Sequence, residues 1–270
     1  PFTSGRYAMF VPGSGPVKGG GGIGSGGGLK RAGRYSGYGT AEDTRDYYLS
    51  EMKRGRRSGP NVAFDLPTQC GYDSDSPLAA GEVGKVGVAV DSFRDFETMF
   101  EAFQGDSDID KISSNFTINA PANVIIAMYA ALAEKRGISP AKLTGTPQND
   151  ILKEFVARGT YIFPARPSMR MVRDSITFCT KYMPLLNAVS VCGFHMREAG
   201  ATREQCLAFT FSNGIAYLNE GVEAGLNIDE FAPRITFLSF SGSMEILKEI
   251  GLHRAARRMW AKIMRERFGA

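Results

Sequence analysis

A parallel α/β architecture of the (β/α)8 barrel type is the fold class that this chain of 270 residues predicts. Three observations carry the expectation. Short apolar runs alternate with amphipathic helical patterns, which is the signature of successive βαβ units. The apolar runs are nearly continuous, as parallel strands covered on both faces should be. No GxGxxG fingerprint follows the first run, which argues against a dinucleotide-binding sheet. A barrel needs eight strands and about five runs are present. The chain is therefore expected to be part of a longer catalytic domain, stopping at a unit boundary after a long helix.

Residues 12–28 hold ten glycines in seventeen positions. A phosphate cradle needs a strand before it and a helix after it, and neither pattern is present, so a flexible linker is expected within an N-terminal arm of 1–34. Tyr35–Thr40 is turn-rich and aromatic. Thr40, with Asp43 three residues on, predicts an N-cap for a helix to about Arg54. A basic turn (54–61) follows. Strands are expected at 62–66, 112–118, 143–146, 189–194 and 235–240. Helices are expected near 93–103, 120–136, 149–157, 169–182, 203–224 and 242–268, with helical character also at Arg197–Glu198.

The hydrophobic content of 43% supports a substantial core, and a net charge of +4 decides little about partners. Cys70, Cys179, Cys192 and Cys206 form no CxxC pair, which favours a reduced cytoplasmic protein without zinc. No signal peptide and no apolar run of about 18 residues is present, so no membrane association is expected. Arginines and lysines at 254–267 alternate with apolar residues at helical spacing, as on an outer helix rather than a nucleic-acid interface.

In a barrel, residues just past each strand converge on one pocket. They are Asp65, Thr68 and Gln69; Asn115, Thr117 and Asn119; Thr146, Gln148, Asn149 and Asp150; His195 and Glu198; and Arg234, Thr236 and Ser239. Asp73 and Asp75 read as turn residues rather than metal ligands. What remains is a pocket of neutral hydrogen-bonding groups with one His and one or two Arg, and little general-base machinery. Such a pocket holds a substrate while a cofactor does the difficult chemistry. The Arg158 guanidinium suits a carboxylate, although a cation is also favoured at a helix C-terminus; position alone leaves both open.

The blocks SGYGTAEDTRDYY (36–48), VAFDLPTQCGYDSD (62–75), GEVGKVGVAVD (81–91), TGTPQNDILKEFVARGTYIFP (144–164), PSMRMV (167–172), GFHMREAGA (193–201) and NIDEFAPRITF (227–237) resemble, in one register, the large subunit of adenosylcobalamin-dependent acyl-CoA mutases, the methylmalonyl-CoA mutase family. The resemblance implies a barrel over 35–270 with acyl-CoA threaded along its axis and the corrin on its face. It implies radical migration of the carbonyl-CoA group to a neighbouring carbon. Position by position, it implies that His195 hydrogen-bonds the thioester carbonyl and that Gln148 binds substrate beside it. Tyr35 would lie between substrate and adenosyl group, and Arg158 would grip a free carboxylate. Thr117, Thr146, Arg234 and Thr236 would line the CoA tail, with Asn115 and Phe194 also on the substrate side and Glu198 near the corrin.

The chain departs from the family pattern in three ways. Phe194 stands where methylmalonyl-CoA mutases have Tyr. The glycine-rich run replaces an aromatic, Arg-bearing segment that clasps CoA. No DxHxxG signature occurs, so the cobalt-ligating His is expected from a cobalamin-binding small subunit or a missing C-terminal domain. Arg158 with Tyr35 favours methylmalonyl-CoA and succinyl-CoA. LPTQCGYDSD, NFTINAPAN and Phe194 look closer to the 2-hydroxyisobutyryl- and ethylmalonyl-CoA branches, with isobutyryl-CoA a further alternative. A non-catalytic scaffold for acyl-CoA or a G-protein chaperone is the competing expectation.

Overall fold

Six parallel strands, in chain order, frame the residues that the computed structural model describes: 35–55, 58–238 and 245–270. β1 (Tyr35–Ser36), β2 (Asn61–Ala63), β3 (Ser113–Thr117) and β4 (Thr144–Pro147) form one sheet in the order 1-2-3-4. β5 (Val189–Cys192) and β6 (Ile235–Leu238) form a second ladder. Two backbone bonds join the ladders, Asn187 N–H to the Gly145 carbonyl at 2.9 Å and Ser190 N–H to the Gln148 carbonyl at 2.8 Å. Neighbouring strands are thus consecutive in sequence, with no order reversal of the kind that defines a doubly wound sheet. The glycine-rich arm at 1–34, the arginines of the basic turn at 56–57, and Ser239 lie outside the described residues.

The helices are α1 (Ala41–Lys53), α2 (Leu66–Cys70), α3 (Phe93–Phe100), α4 (Ala122–Lys135), α5 (Ile151–Lys153), α6 (Ala165–Tyr182), α7 (Phe194–Glu198), α8 (Arg203–Glu223), α9 (Ile228–Phe231) and α10 (Ile246–Ile263). Thr40 caps α1 reciprocally with Asp43, as the sequence predicts. Several boundaries differ from expectation. The run at 62–66 ends early because the Asp65 carboxylate accepts the Thr68 N–H at 3.0 Å and starts α2, with Pro67 in its first turn. The turn-rich Tyr35–Ser36 is a short strand, with Tyr35 exposed and the Ser36 hydroxyl donating to that of the buried Tyr48. Phe194 opens a helix instead of closing a strand, and α6 begins four residues early, after Pro164.

The two sheet faces differ in chemistry. In a parallel ladder, register partners project from the same face. One row reads Ser36, Val62, Phe116 and Pro147. It is covered by Phe96, Phe100 and Tyr129 of α3 and α4, with Phe116 5.3 Å from Tyr129 ring to ring. Across the second ladder Phe237 packs on Trp260 of α10 at 4.7 Å and on Phe211 of α8 at 5.5 Å. Leu252, Ala256 and Trp260 form the buried stripe of α10, so its basic residues are the outward face of a packed helix. The adjacent row on the opposite face reads Tyr35, Asn61, Asn115 and Thr146. It is polar throughout.

Among the described residues, no helix is long and apolar enough to cross a membrane, and no group of three or more His, Cys, Asp or Glu could hold a metal ion. All four cysteines are free, and Cys179, Cys192 and Cys206 are buried.

Candidate active site

The polar row is the floor of the site. Asn187 extends it, donating from Nδ2 to Thr146 Oγ1 at 2.8 Å. One pleat further along the strands, Ala63 pairs with Thr117, and continuing the β3–β4 register sets Gln148 opposite Thr117. Tyr35, Asn115, Thr146, Thr117 and Gln148, drawn from three strands and the end of β4, therefore share one face. Asn61 belongs with them and was not singled out in the sequence; a lone Asn after a Gly-Pro turn carries no periodic signal. On the second ladder Ser190 and Thr236 are register partners, and the Thr236 hydroxyl donates to the Val189 carbonyl at 3.3 Å.

At the C-terminal ends of the strands the backbone turns sharply. Asn149 is the one non-glycine residue at positive φ among the described residues, at 51°. Its N–H donates to the Ile118 carbonyl and its Nδ2 to the Ala188 carbonyl, which hold it in a conformation that Asn tolerates better than most residues. After α5 the helix widens into a π-helical turn, Glu154–Arg158, closed by Gly159 at φ 87°. Such turns recur at functional sites.

The inward face of this segment carries charge beside the buried Ile151. Val156 is 60% exposed, whereas Lys153 and Glu154 are 0% and 1% exposed. Lys153 Nζ donates to Gln148 Oε1 at 2.8 Å and to Glu154 Oε1 at 2.9 Å. Asn119 Nδ2 donates to the same two oxygens, at 3.2 and 2.6 Å. Glu154 Oε2 accepts from the N–H and hydroxyl of Thr160. Burial alone would raise the Glu154 carboxyl, but Lys153, the Thr160 hydroxyl and Arg158 hold it below the usual carboxylate range. Asp150 lies beside the network, taking the Tyr217 hydroxyl at 2.6 Å and the Cys192 N–H at 2.7 Å, and burial pushes its carboxyl up.

Beneath the expected neutral donors lies a buried ionic layer that the sequence reading did not include. Lys153 and Glu154 were missed because adjacent Lys and Glu on a short helix ordinarily face water. The available signal was the pattern itself. Ile151, Leu152, Phe155 and Val156 surround the pair, so the helix has no other polar face.

Gln148 gains a defined orientation from this layer. Its carboxamide oxygen is occupied by Lys153 and Asn119, so its amino group is what remains for the pocket. Arg158 sits at the end of the π-helical turn, half-buried, with Nη1 3.4 Å from Glu154 Oε1. That long contact leaves most of its donors uncommitted. His195 lies in the first turn of α7, directly after β5. Burial, with Lys153 and Arg158 adding to it, pushes its imidazole down to about 4, so the ring is neutral at neutral pH. Its Nδ1 is 3.2 Å from Cys192 Sγ. Phe194 is exposed beside it, ring edge to ring face, and Glu198 is exposed at the end of α7.

Arg234 departs from the expected grouping. It precedes β6 instead of following a strand, and therefore lies at the opposite end of the ladder from His195. There its Nη1 donates to the Leu185 carbonyl at 3.4 Å, beside a cavity of ≈ 290 Å³ that Glu230, Cys179 and Thr180 also line. Burial lowers its guanidinium from the ordinary range.

Residues 31–270 match the family model described as Methylmalonyl-CoA mutase. The chain is 44% identical over 237 residues to the methylmalonyl-CoA mutase of Escherichia coli K12, 88% of this chain and 32% of that protein. It is 43% identical over 233 residues to the methylmalonyl-CoA mutase large subunit of Streptomyces virginiae, 86% of this chain and 31% of that protein. It is 46% identical over 235 residues to the 2-hydroxyisobutanoyl-CoA mutase large subunit of Aquincola tertiaricarbonis, 87% of this chain and 41% of that protein. The chain thus spans about a third to two fifths of the length of these relatives.

Proposed function

Because the chain belongs to the methylmalonyl-CoA mutase family, we propose that it supplies the substrate-binding part of an adenosylcobalamin-dependent acyl-CoA mutase that interconverts methylmalonyl-CoA and succinyl-CoA. In this reading 1–34 is an N-terminal arm and 35–270 forms the first units of a (β/α)8 catalytic barrel, the six consecutive parallel strands being its start. Acyl-CoA lies along the polar strand face, where Asn115, Thr117, Thr146 and Thr236 line it. A ligand of that length, laid along the strands, reaches from the end that holds Arg234 to the end that holds His195.

One observation carries the reading. At the strand ends, neutral N–H donors stand above a buried ionic layer, with an under-committed Arg158 beside them. Gln148 offers its amino group and His195 a neutral ring to a thioester carbonyl, and fixed donors of this kind stabilise charge as it builds on that oxygen. Arg158 grips the substrate's free carboxylate with two parallel bonds. Tyr35 covers the reacting end. Adenosylcobalamin fits the residues present: Phe194, Tyr161 and Phe163 are exposed apolar surface of the kind a corrin covers, and Glu198 would stand at its edge. When bound, it supplies hydrogen-atom abstraction. Its cobalt ligand is assigned to a cobalamin-binding small subunit or further domain, in keeping with two relatives named as large subunits. A G-protein chaperone would act on that assembly.

Identities of 43–46% to relatives of both kinds do not separate the substrates; Arg158 supports the carboxylated one. With an uncharged acyl group, its guanidinium would stay partly desolvated with only the long contact to Glu154. Arg158→Gln is therefore expected to lower kcat/KM for methylmalonyl-CoA by about ten- to a hundredfold, the loss of a charge-assisted bond pair. Turnover of isobutyryl-CoA should hold or improve. Equal losses on both substrates, measured by steady-state kinetics, would refute the anchor role.

A further inference from the structure

Cys192 is the last residue of β5 and is fully buried. Its backbone is fixed, because its N–H donates to Asp150 Oδ2 at 2.7 Å and the same carboxylate is held by the Tyr217 hydroxyl at 2.6 Å. The Asp150 N–H in turn donates to Asn119 Oδ1 at 3.0 Å, which ties the carboxylate to the end of β3. The backbone from which the thiol projects is therefore fixed relative to the strand ends. One residue past Gly193 the chain turns into α7 and brings the His195 ring back over the sulfur, with Nδ1 and Sγ 3.2 Å apart. The ring also packs edge-to-face with Phe194, 5.8 Å away between centroids. Among the described residues Nε2 has no protein partner.

A single proton lies between sulfur and Nδ1. Burial pushes the thiol above its ordinary range, and burial also keeps the imidazole neutral, so the pair is S–H and neutral ring instead of thiolate and imidazolium. Two arrangements of that neutral pair remain, S–H donating to Nδ1 or Nδ1–H donating to sulfur, and chemistry discriminates between them. An imidazole nitrogen is a good acceptor, a thiol is a weak donor and a weaker acceptor, and the thiol hydrogen has no other recorded partner among the described residues. The hydrogen bond one ring nitrogen makes sets the protonation of the other.

We infer that Cys192 is a positioning residue: its thiol donates to His195 Nδ1 and thereby fixes the imidazole hydrogen on Nε2, the nitrogen turned to the pocket. This rests on the mutase reading for its purpose, since it makes His195 a donor to the thioester carbonyl, but the tautomer itself does not. The wrong tautomer would present a lone pair to a carbonyl oxygen and repel it. Elsewhere, loss of the group that holds a histidine tautomer is costly even where the geometry survives.

Nitrogen-15 histidine labelling with long-range proton–nitrogen correlation reads the tautomer directly. This chain holds two histidines, His195 and His253, so the signals are few and His195→Asn assigns them. In the purified protein between pH 6 and 8, His195 is expected in the Nε2–H form. Cys192→Ser, which keeps a donor, should preserve that form, whereas Cys192→Ala should move the ring toward Nδ1–H. In turnover, Cys192→Ala should lower kcat by about tenfold with little change in KM, and Cys192→Ser should restore it. An Nδ1–H ring in the unsubstituted protein, or a tautomer unmoved in Cys192→Ala, overturns the inference. The expected tautomer in a protein that turns over no acyl-CoA supports the positioning role while overturning the mutase reading, so the two failures are distinguishable.

Discussion

Replacing Lys153 with Met is expected to destabilise the protein by about 3–5 kcal/mol, the range for removing one partner of a buried ion pair. The reason is geometric. Lys153 and Glu154 are both fully buried, and Nζ serves two oxygens at 2.8 and 2.9 Å. Without the ammonium, Glu154 keeps Asn119, Thr160 and the long contact to Arg158, but the strongest force holding its carboxylate ionised is gone. The double change Lys153→Met with Glu154→Gln removes both charges and should recover a large part of the loss. Chemical denaturation of the single and double variants checks this. Equal destabilisation by both would mean that Lys153 acts through packing and not through its charge.

His195→Ala is expected to lower kcat by about a hundred- to a thousandfold, the usual cost of losing one donor to a developing oxyanion. Thermal unfolding should change little, because the ring is only partly covered and touches Cys192 and Phe194. The pH dependence follows from the same environment. A free histidine titrates near 6.5, and this one is pushed down to about 4, so protonation favours the unfolded chain between those values. Its stability contribution is present above pH 6.5 and is lost as pH falls toward 4. Activity should accordingly show no limb from His195 between pH 6 and 8. A limb near 6.5 that disappears in the His195→Asn protein would show a solvated, titrating ring.

Much of the frame was legible because it rests on local signals. Apolar runs located five of the six strands, and Thr40 with Asp43 marked the start of α1. β1 was not legible: two residues, one of them Tyr35 at 62% exposure, leave no periodicity to detect. The polar floor was half legible. Asn115, Thr117, Thr146 and Gln148 were singled out as strand-end residues, but the common face emerges only from register, which no single segment specifies. Lys153 and Glu154 were hidden because their burial depends on Asn119 and Gln148, 35 and 5 residues away in sequence. Arg234 was placed at the wrong end, since a residue's side of a strand depends on where the strand starts. Cys192 read as an ordinary buried thiol until α7 folded His195 back over it.

The central claim is that this strand-end site converts a carboxylated branched acyl-CoA into its linear isomer. Its most direct test is to combine the purified protein with adenosylcobalamin, a cobalamin-binding small subunit and carbon-13-labelled methylmalonyl-CoA, and to follow the label by nuclear magnetic resonance. The account predicts that the label appears in succinyl-CoA, at a rate cut sharply by His195→Ala. Absence of succinyl-CoA alongside turnover of 2-hydroxyisobutyryl-CoA would contradict the substrate assignment, and no turnover of any branched acyl-CoA would contradict the mutase reading itself.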